Sequence, residues 1–133
     1  CLRATGIPNV LFTGYLFGEG YRELASNAYC FVEPSEVGGT HPALIEAMAF
    51  GNCVVVNDTP PNLEVMEDAG LAYDGRKGAE DLRRQLQRLI DNPERVDEYR
   101  RCAKERARAC YSWDAVTEQY ERLFASVAQD VGV

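Results

Sequence analysis

The sequence predicts an α/β fold, a parallel sheet covered by helices on both faces. Three observations predict it. Short apolar runs alternate with helical patterns over the first half of the chain. The run Cys53-Val54-Val55-Val56 is apolar at every position, as expected of a strand buried on both faces. From about Gly78 onward the apolar residues recur only at helical spacing, so the C-terminal part is helices alone. The 133 residues suffice for one domain with a real core. No repeat, low-complexity stretch or second domain boundary interrupts them.

The elements follow in chain order. Cys1 to Gly6 reads as the end of a helix with Gly6 as its stop, unlike a natural N-terminus, so a fragment is expected. Val10-Leu11-Phe12-Thr13, set between Pro8-Asn9 and Gly14, is expected as a strand. Tyr21 to Asn27 reads as a short helix and Tyr29 to Val32 as the next strand, ended by Glu33-Pro34-Ser35. Pro42 to Phe50 is a helix stopped by Gly51-Asn52. Cys53 to Val56 is the central strand. Thr59-Pro60 reads as a cap and first-turn proline of a short helix to about Met66. Leu71-Ala72-Tyr73 is a weak further strand. Leu82, Leu86, Leu89 and Ile90 stripe one helix, which Asn92-Pro93 breaks. Glu94 to Cys110 is a charged helix with Val96, Tyr99, Cys102 and Ala103 on one side. Ser112 can cap a last helix whose apolar face runs through Trp113, Val116, Tyr120, Leu123, Phe124 and Val127. That face is larger than a peripheral helix requires. It is expected to stand exposed or to be covered by a second copy of the chain.

Charge narrows the partners. Fourteen Lys and Arg against 21 Asp and Glu give a net charge of −7. This argues against nucleic acid or an anionic membrane as the main partner. Arg83-Arg84, Arg88, Arg100-Arg101 and the stretch from Lys104 to Arg108 are interleaved with acids and read as solvated helix faces. The five cysteines are odd in number and form no C-x-x-C pair, and Cys30 and Cys53 sit in apolar runs as small hydrophobes. That usage fits a reducing cytosol. No signal peptide or bilayer-length apolar run is present. Peripheral attachment of the full-length protein to the inner membrane is left open.

The chemistry concentrates in Gly38-Gly39-Thr40-His41-Pro42-Ala43-Leu44-Ile45-Glu46. A strand, a glycine loop and a helix start offer free N–H groups and a positive dipole end to an anion. In a parallel sheet, ligands gather outside the carboxyl ends of the strands. The alternative is a plain tight turn. Glu46 lies one turn into the helix, and its side chain leans back toward the loop. It can accept from two neighbouring hydroxyls, as on a ribose, or be a glutamate favoured by the helix dipole. His41, the sole histidine, can contact a ligand or act as a solvated cap, and no neighbour fixed by sequence points to catalysis. Glu36 in the same loop reads as a solvated charge. Tyr15 and Leu16 either line a nucleobase slot or pack as an ordinary loop.

These segments together resemble the C-terminal half-domain of a group 1 glycosyltransferase (family 4, GT-B fold). Val10 to Tyr15 is similar to that family's second strand and nucleobase loop, and Ala28 to Ser35 to its "AD-x-F-V-x-P-S" strand. Leu44 to Val55 resembles "V-L-E-A-M-A-x-G-x-P-V-V". Asp58 to Val65 resembles the next loop and helix, and Tyr111-Ser112-Trp113 the "F-S-W" before the last helix. The resemblance implies a Rossmann-like domain that holds a nucleotide-diphosphate sugar as donor substrate, with no separate cofactor and no metal. It implies retaining transfer to a glycan or lipid-linked acceptor bound on an N-terminal domain outside this chain. It also implies that the half-domain's first strand and helix lie upstream, with its diphosphate-neutralising basic residues. Glu46 matches the second of the family's two glutamates and would hold the ribose. Gly38, Gly39, Thr40 and His41 would surround the pyrophosphate and sugar, and Tyr15 and Leu16 the base. The first glutamate falls at Gly38, a departure, and Glu36 is two residues too far from Glu46 to replace it directly. Gly-Gly-Thr-x-Pro resembles a rhamnosyltransferase-like subgroup of polysaccharide assembly. The missing glutamate also admits a module that binds nucleotide-sugar, or docks to a partner, without catalysis. A dinucleotide-binding domain is disfavoured, because no G-x-G-x-x-G joins a strand to a helix.

Overall fold

A computed structural model describes residues 9–131. In chain order the elements are α1 (Gly18–Ser26), β1 (Cys30–Glu33), α2 (Pro42–Ala49), β2 (Cys53–Asn57) and α3 (Pro60–Met66). β3 (Gly70–Tyr73), α4 (Ala79–Asp91), α5 (Pro93–Tyr111) and α6 (Trp113–Val131) complete them. The strands form one parallel sheet in the order β1-β2-β3, with Cys30 opposite Cys53 and Val55 opposite Leu71.

β2 is central, and each of its five residues is buried. Strand side chains alternate between faces, so β2 feeds two cores. Val54 and Val56 pack with Leu44, Ala47 and Met48 of α2 and Val65 and Met66 of α3. Cys53 and Val55 pack with Tyr73 of β3 and Leu89 of α4. α5 serves both cores, with Val96 and Tyr99 in the second and Ala103 and Ala107 in the first. The Arg100 guanidinium between these two groups donates to the Ala28 and Tyr29 carbonyls just before β1, at 3.0 and 3.2 Å. α5 therefore crosses beneath the amino ends of the strands, and one helix closes both layers.

β3 lies close against β2. A Cβ on Gly70 would come within 2.5 Å of the Val54 carbonyl oxygen and 2.9 Å of Met66 Sδ, so only glycine fits. Burial pushes the Cys53 thiol up to about 12, with Cys30 on the neighbouring strand adding to it. Both cysteines thus behave as the small hydrophobes expected of them.

One expected element does not form. Val10 to Thr13 carries no strand, and Val10, Leu11 and Phe12 are all at least half exposed. Apolar composition alone does not make a strand, which needs a neighbouring backbone ladder. Among the described residues this segment has none. Helix starts agree better with expectation. Ser112 Oγ accepts the Ala115 N–H at 3.2 Å at the head of α6. Thr59 does precede Pro60 at the start of α3, but its side chain makes no cap bond.

The apolar face of α6 stands exposed as expected, with Trp113, Tyr120, Leu123, Phe124 and Val127 each more than half accessible. Arg84 pairs with Asp81 and Arg101 with Glu105 along their own helices, as solvated faces do. Arg100 and Arg106 depart from that expectation. Both are part-buried and donate to backbone carbonyls of other segments, Ala28 and Tyr29 for the first and Glu64 and Val65 for the second. Among the described residues, no helix is long and apolar enough to cross a membrane.

Candidate functional site

The glycine loop leaves the carboxyl end of β1 and enters α2. Its start is fixed by Glu33, whose buried carboxylate accepts the Ser35 backbone N–H at 3.1 Å and the Ser35 hydroxyl. The Ser35 carbonyl in turn accepts from Asn57 Nδ2 and from the fully buried Asn62 Nδ2, each at 3.3 Å. Asn62 also donates to the Asn57 carbonyl at 3.2 Å. These bonds tie the loop after β1 to the end of β2 and to α3, so the carboxyl edge of the sheet is a braced platform.

Past Ser35 the loop opens to solvent. Glu36, Gly38, Gly39 and Thr40 are exposed. Gly38 has φ +146°, a conformation that side-chain-bearing residues avoid. The His41 ring lies directly over it, and a Cβ there would stand 2.7 Å from His41 Cε1. Gly38 and His41 are therefore one steric unit, with the imidazole occupying the space a side chain at position 38 would need.

His41 precedes α2 in extended backbone, and its side chain makes no cap bond. Its carbonyl accepts the Leu44 and Ile45 N–H groups at 3.0 and 3.3 Å. Pro42 has no N–H to offer. Among the described residues, the N–H groups of Gly38, Gly39, Thr40, His41 and Ala43 enter no intramolecular hydrogen bond, and the first turn of α2 carries no acid. Free donors and a positive helix end with no acid in its first turn suit an anion such as a phosphate.

Glu46 follows one turn later on the exposed side of α2. Its Oε2 accepts a hydrogen bond from the Tyr21 hydroxyl of α1 at 2.9 Å. The bond engages the carboxylate with a second helix. Burial pushes the Tyr21 phenol up first, and the bond to Glu46 and its negative charge push the same way. Tyr21 consequently stays a protonated donor throughout the neutral range. The Tyr21 ring also meets Phe50 edge-on, with centroids 6.4 Å apart.

Tyr15 is not enclosed: the residue is 93 % exposed and its ring stacks on Phe17 at 6.2 Å, with Leu16 beside it at 38 % exposure. Glu36 is near Tyr73, whose phenol is raised by burial and then by Glu36, Asp58 and Glu33. Among the described residues, no group of His, Cys, Asp and Glu is arranged to hold a metal ion. The structure thus joins Gly38 with His41 and Glu46 with Tyr21. Tyr21 carries no local sequence signal of a role, since its partner is 25 positions away. Only docking of α1 on α2 reveals it.

Residues 2–109 match the family described as glycosyl transferases group 1. No curated protein matches the chain. Among solved structures, the sucrose-phosphate synthase of Thermosynechococcus elongatus is similar at 26 % identity with a TM-score of 0.67. The likeness covers 80 % of this chain and 27 % of that one, so the chain spans about a quarter of the synthase.

Proposed function

The chain belongs to the group 1 glycosyltransferases, and from that premise we propose that it is the donor-side part of a retaining, metal-independent enzyme. The enzyme would move a sugar from a nucleotide-diphosphate sugar to a glycan or lipid-linked acceptor, in polysaccharide assembly of the kind the Gly-Gly-Thr-x-Pro loop suggests. The observation that carries this reading is the pairing of two features on one sheet edge. The loop from Gly38 to His41 holds free N–H groups at a helix start, and Glu46 presents a fixed carboxylate one turn beyond.

The chemistry follows from those groups. Cleaving the sugar–phosphate bond leaves charge on the nucleoside diphosphate. Prearranged N–H donors stabilise that charge where it develops. Gly38, Gly39, Thr40 and His41 would serve the pyrophosphate and sugar. Glu46 would accept from the ribose hydroxyls, and Tyr15 and Leu16 would line the base. The acceptor and the basic residues that neutralise the diphosphate would come from outside this chain.

Titration of the full-length protein with nucleoside diphosphates tests the reading. Glu46→Ala should weaken binding about tenfold or more, the loss expected when hydrogen bonds to a charged group disappear. Unchanged affinity would remove the ribose role. The glycine at position 38 favours a second reading, a nucleotide-sugar-binding or interaction module without catalysis. The two separate on turnover: a module binds nucleotide-sugar and releases no nucleoside diphosphate from it.

A further inference from the structure

We infer that Tyr21 is the positioning residue of the Glu46 carboxylate, and through it sets a preference for ribose hydroxyls on a nucleoside diphosphate. This rests on the reading of Glu46 as the ribose ligand. An exposed glutamate on a helix samples several rotamers and loses that freedom when it binds. Here the 2.9 Å bond from the Tyr21 hydroxyl fixes Oε2 before any ligand arrives. A carboxylate has about four acceptor sites. Tyr21 uses one, and Oε1 with the rest of Oε2 remain for two neighbouring hydroxyls.

The tyrosine is itself seated. Its ring packs edge-on against Phe50, one helical turn beyond Glu46 on the same chain segment. One turn after Tyr21, the Ala25 carbonyl accepts from Asn52 Nδ2 at 2.8 Å, just past the end of α2. α1 is therefore pinned to the C-terminal end of α2 by two contacts beside the Tyr21–Glu46 bond. The hydroxyl carries the bond to Glu46 and the ring the contact with Phe50, so Tyr21→Phe removes the first and keeps the second.

The test measures binding of ADP, GDP and UDP, each beside its 2′,3′-dideoxy form, to the full-length protein and its variants. Tyr21→Phe should weaken the best ribonucleotide about three- to tenfold, the worth of one hydrogen bond, and leave its dideoxy form unchanged. Adding Tyr21→Phe to Glu46→Ala should cost nothing further. A merely structural tyrosine would weaken both nucleotide forms alike, and an idle one neither. If Glu46→Ala abolishes the ribose preference while Tyr21→Phe gives either of those patterns, the positioning role falls and the Glu46 reading stands. A ribose preference that survives Glu46→Ala overturns both, as does a parent protein that binds none of the three nucleotides.

Discussion

Gly38 can be tested by giving it a side chain. In Gly38→Ala the new Cβ meets two obstacles. The backbone sits at φ +146°, where a residue other than glycine costs roughly 1–3 kcal/mol. The Cβ would also lie 2.7 Å from His41 Cε1, about 1 Å inside the ordinary carbon contact. His41 must then swing aside, which costs about 0.5–1.5 kcal/mol if its torsions leave their wells. Against this, alanine narrows the unfolded ensemble and returns about 0.4–1 kcal/mol. The net expectation is a loss on the order of 1–3 kcal/mol. For a domain of this size it lowers Tm by roughly 3–5 °C per kcal/mol. Urea denaturation followed by far-UV circular dichroism reads it directly. Gly38→Ala combined with His41→Ala should recover the part due to the ring and keep the part due to the backbone. Gly38→Glu, which places a carboxylate where the resembled two-glutamate motif has its first, should carry the same penalty. A Gly38→Ala protein within about 0.5 kcal/mol of the parent, unaffected by His41→Ala, would refute the steric unit.

Two further perturbations test the scaffold. The Asp81 carboxyl lies below its ordinary 3.8, chiefly because it accepts the Asp74 N–H at 2.8 Å, with Gln85 and Arg84 assisting. Asp74 is lowered too, first by Lys77. The folded chain thus binds these protons less readily than the unfolded one. Their contribution is complete above 3.8 and is lost as pH falls through the folded values. Asp81→Asn should flatten the acid side of a stability–pH curve, and an acid limb identical to the parent's would contradict this. Arg106 donates to the Val65 and Glu64 carbonyls, each at 2.6 Å, and pairs with Glu67 at 2.7 Å, which closes the C-terminal end of α3. Arg106→Ala should cost about 1.5–3 kcal/mol in urea denaturation, and Arg106→Lys should recover part of it. An unchanged midpoint in Arg106→Ala would show that α3 does not depend on this clamp.

What could be read from the residues alone is what physics decides within a few positions. The all-apolar β2, the proline start of α2, the Ser112 cap and the Leu89 stripe each carry their signal in adjacent or helix-spaced residues. Parallel α/β architecture and the Gly38–Glu46 loop follow from them. Tertiary structure decided whatever needs a partner far away in sequence. Val10 to Thr13 has strand composition, yet a strand exists only where another backbone pairs with it. α5 reads as one charged helix with one apolar side, and only its crossing under the sheet divides Val96 and Tyr99 from Ala103 and Ala107. Glu46 could be suspected from its place in α2, but its tyrosine partner comes from another helix. Likewise the absence of a carboxylate at position 38 is plain in the sequence, while the imidazole that fills the space is visible only once the loop is folded. Local periodicity and capping make the elements. Pairing, burial and steric exclusion between distant segments make the site.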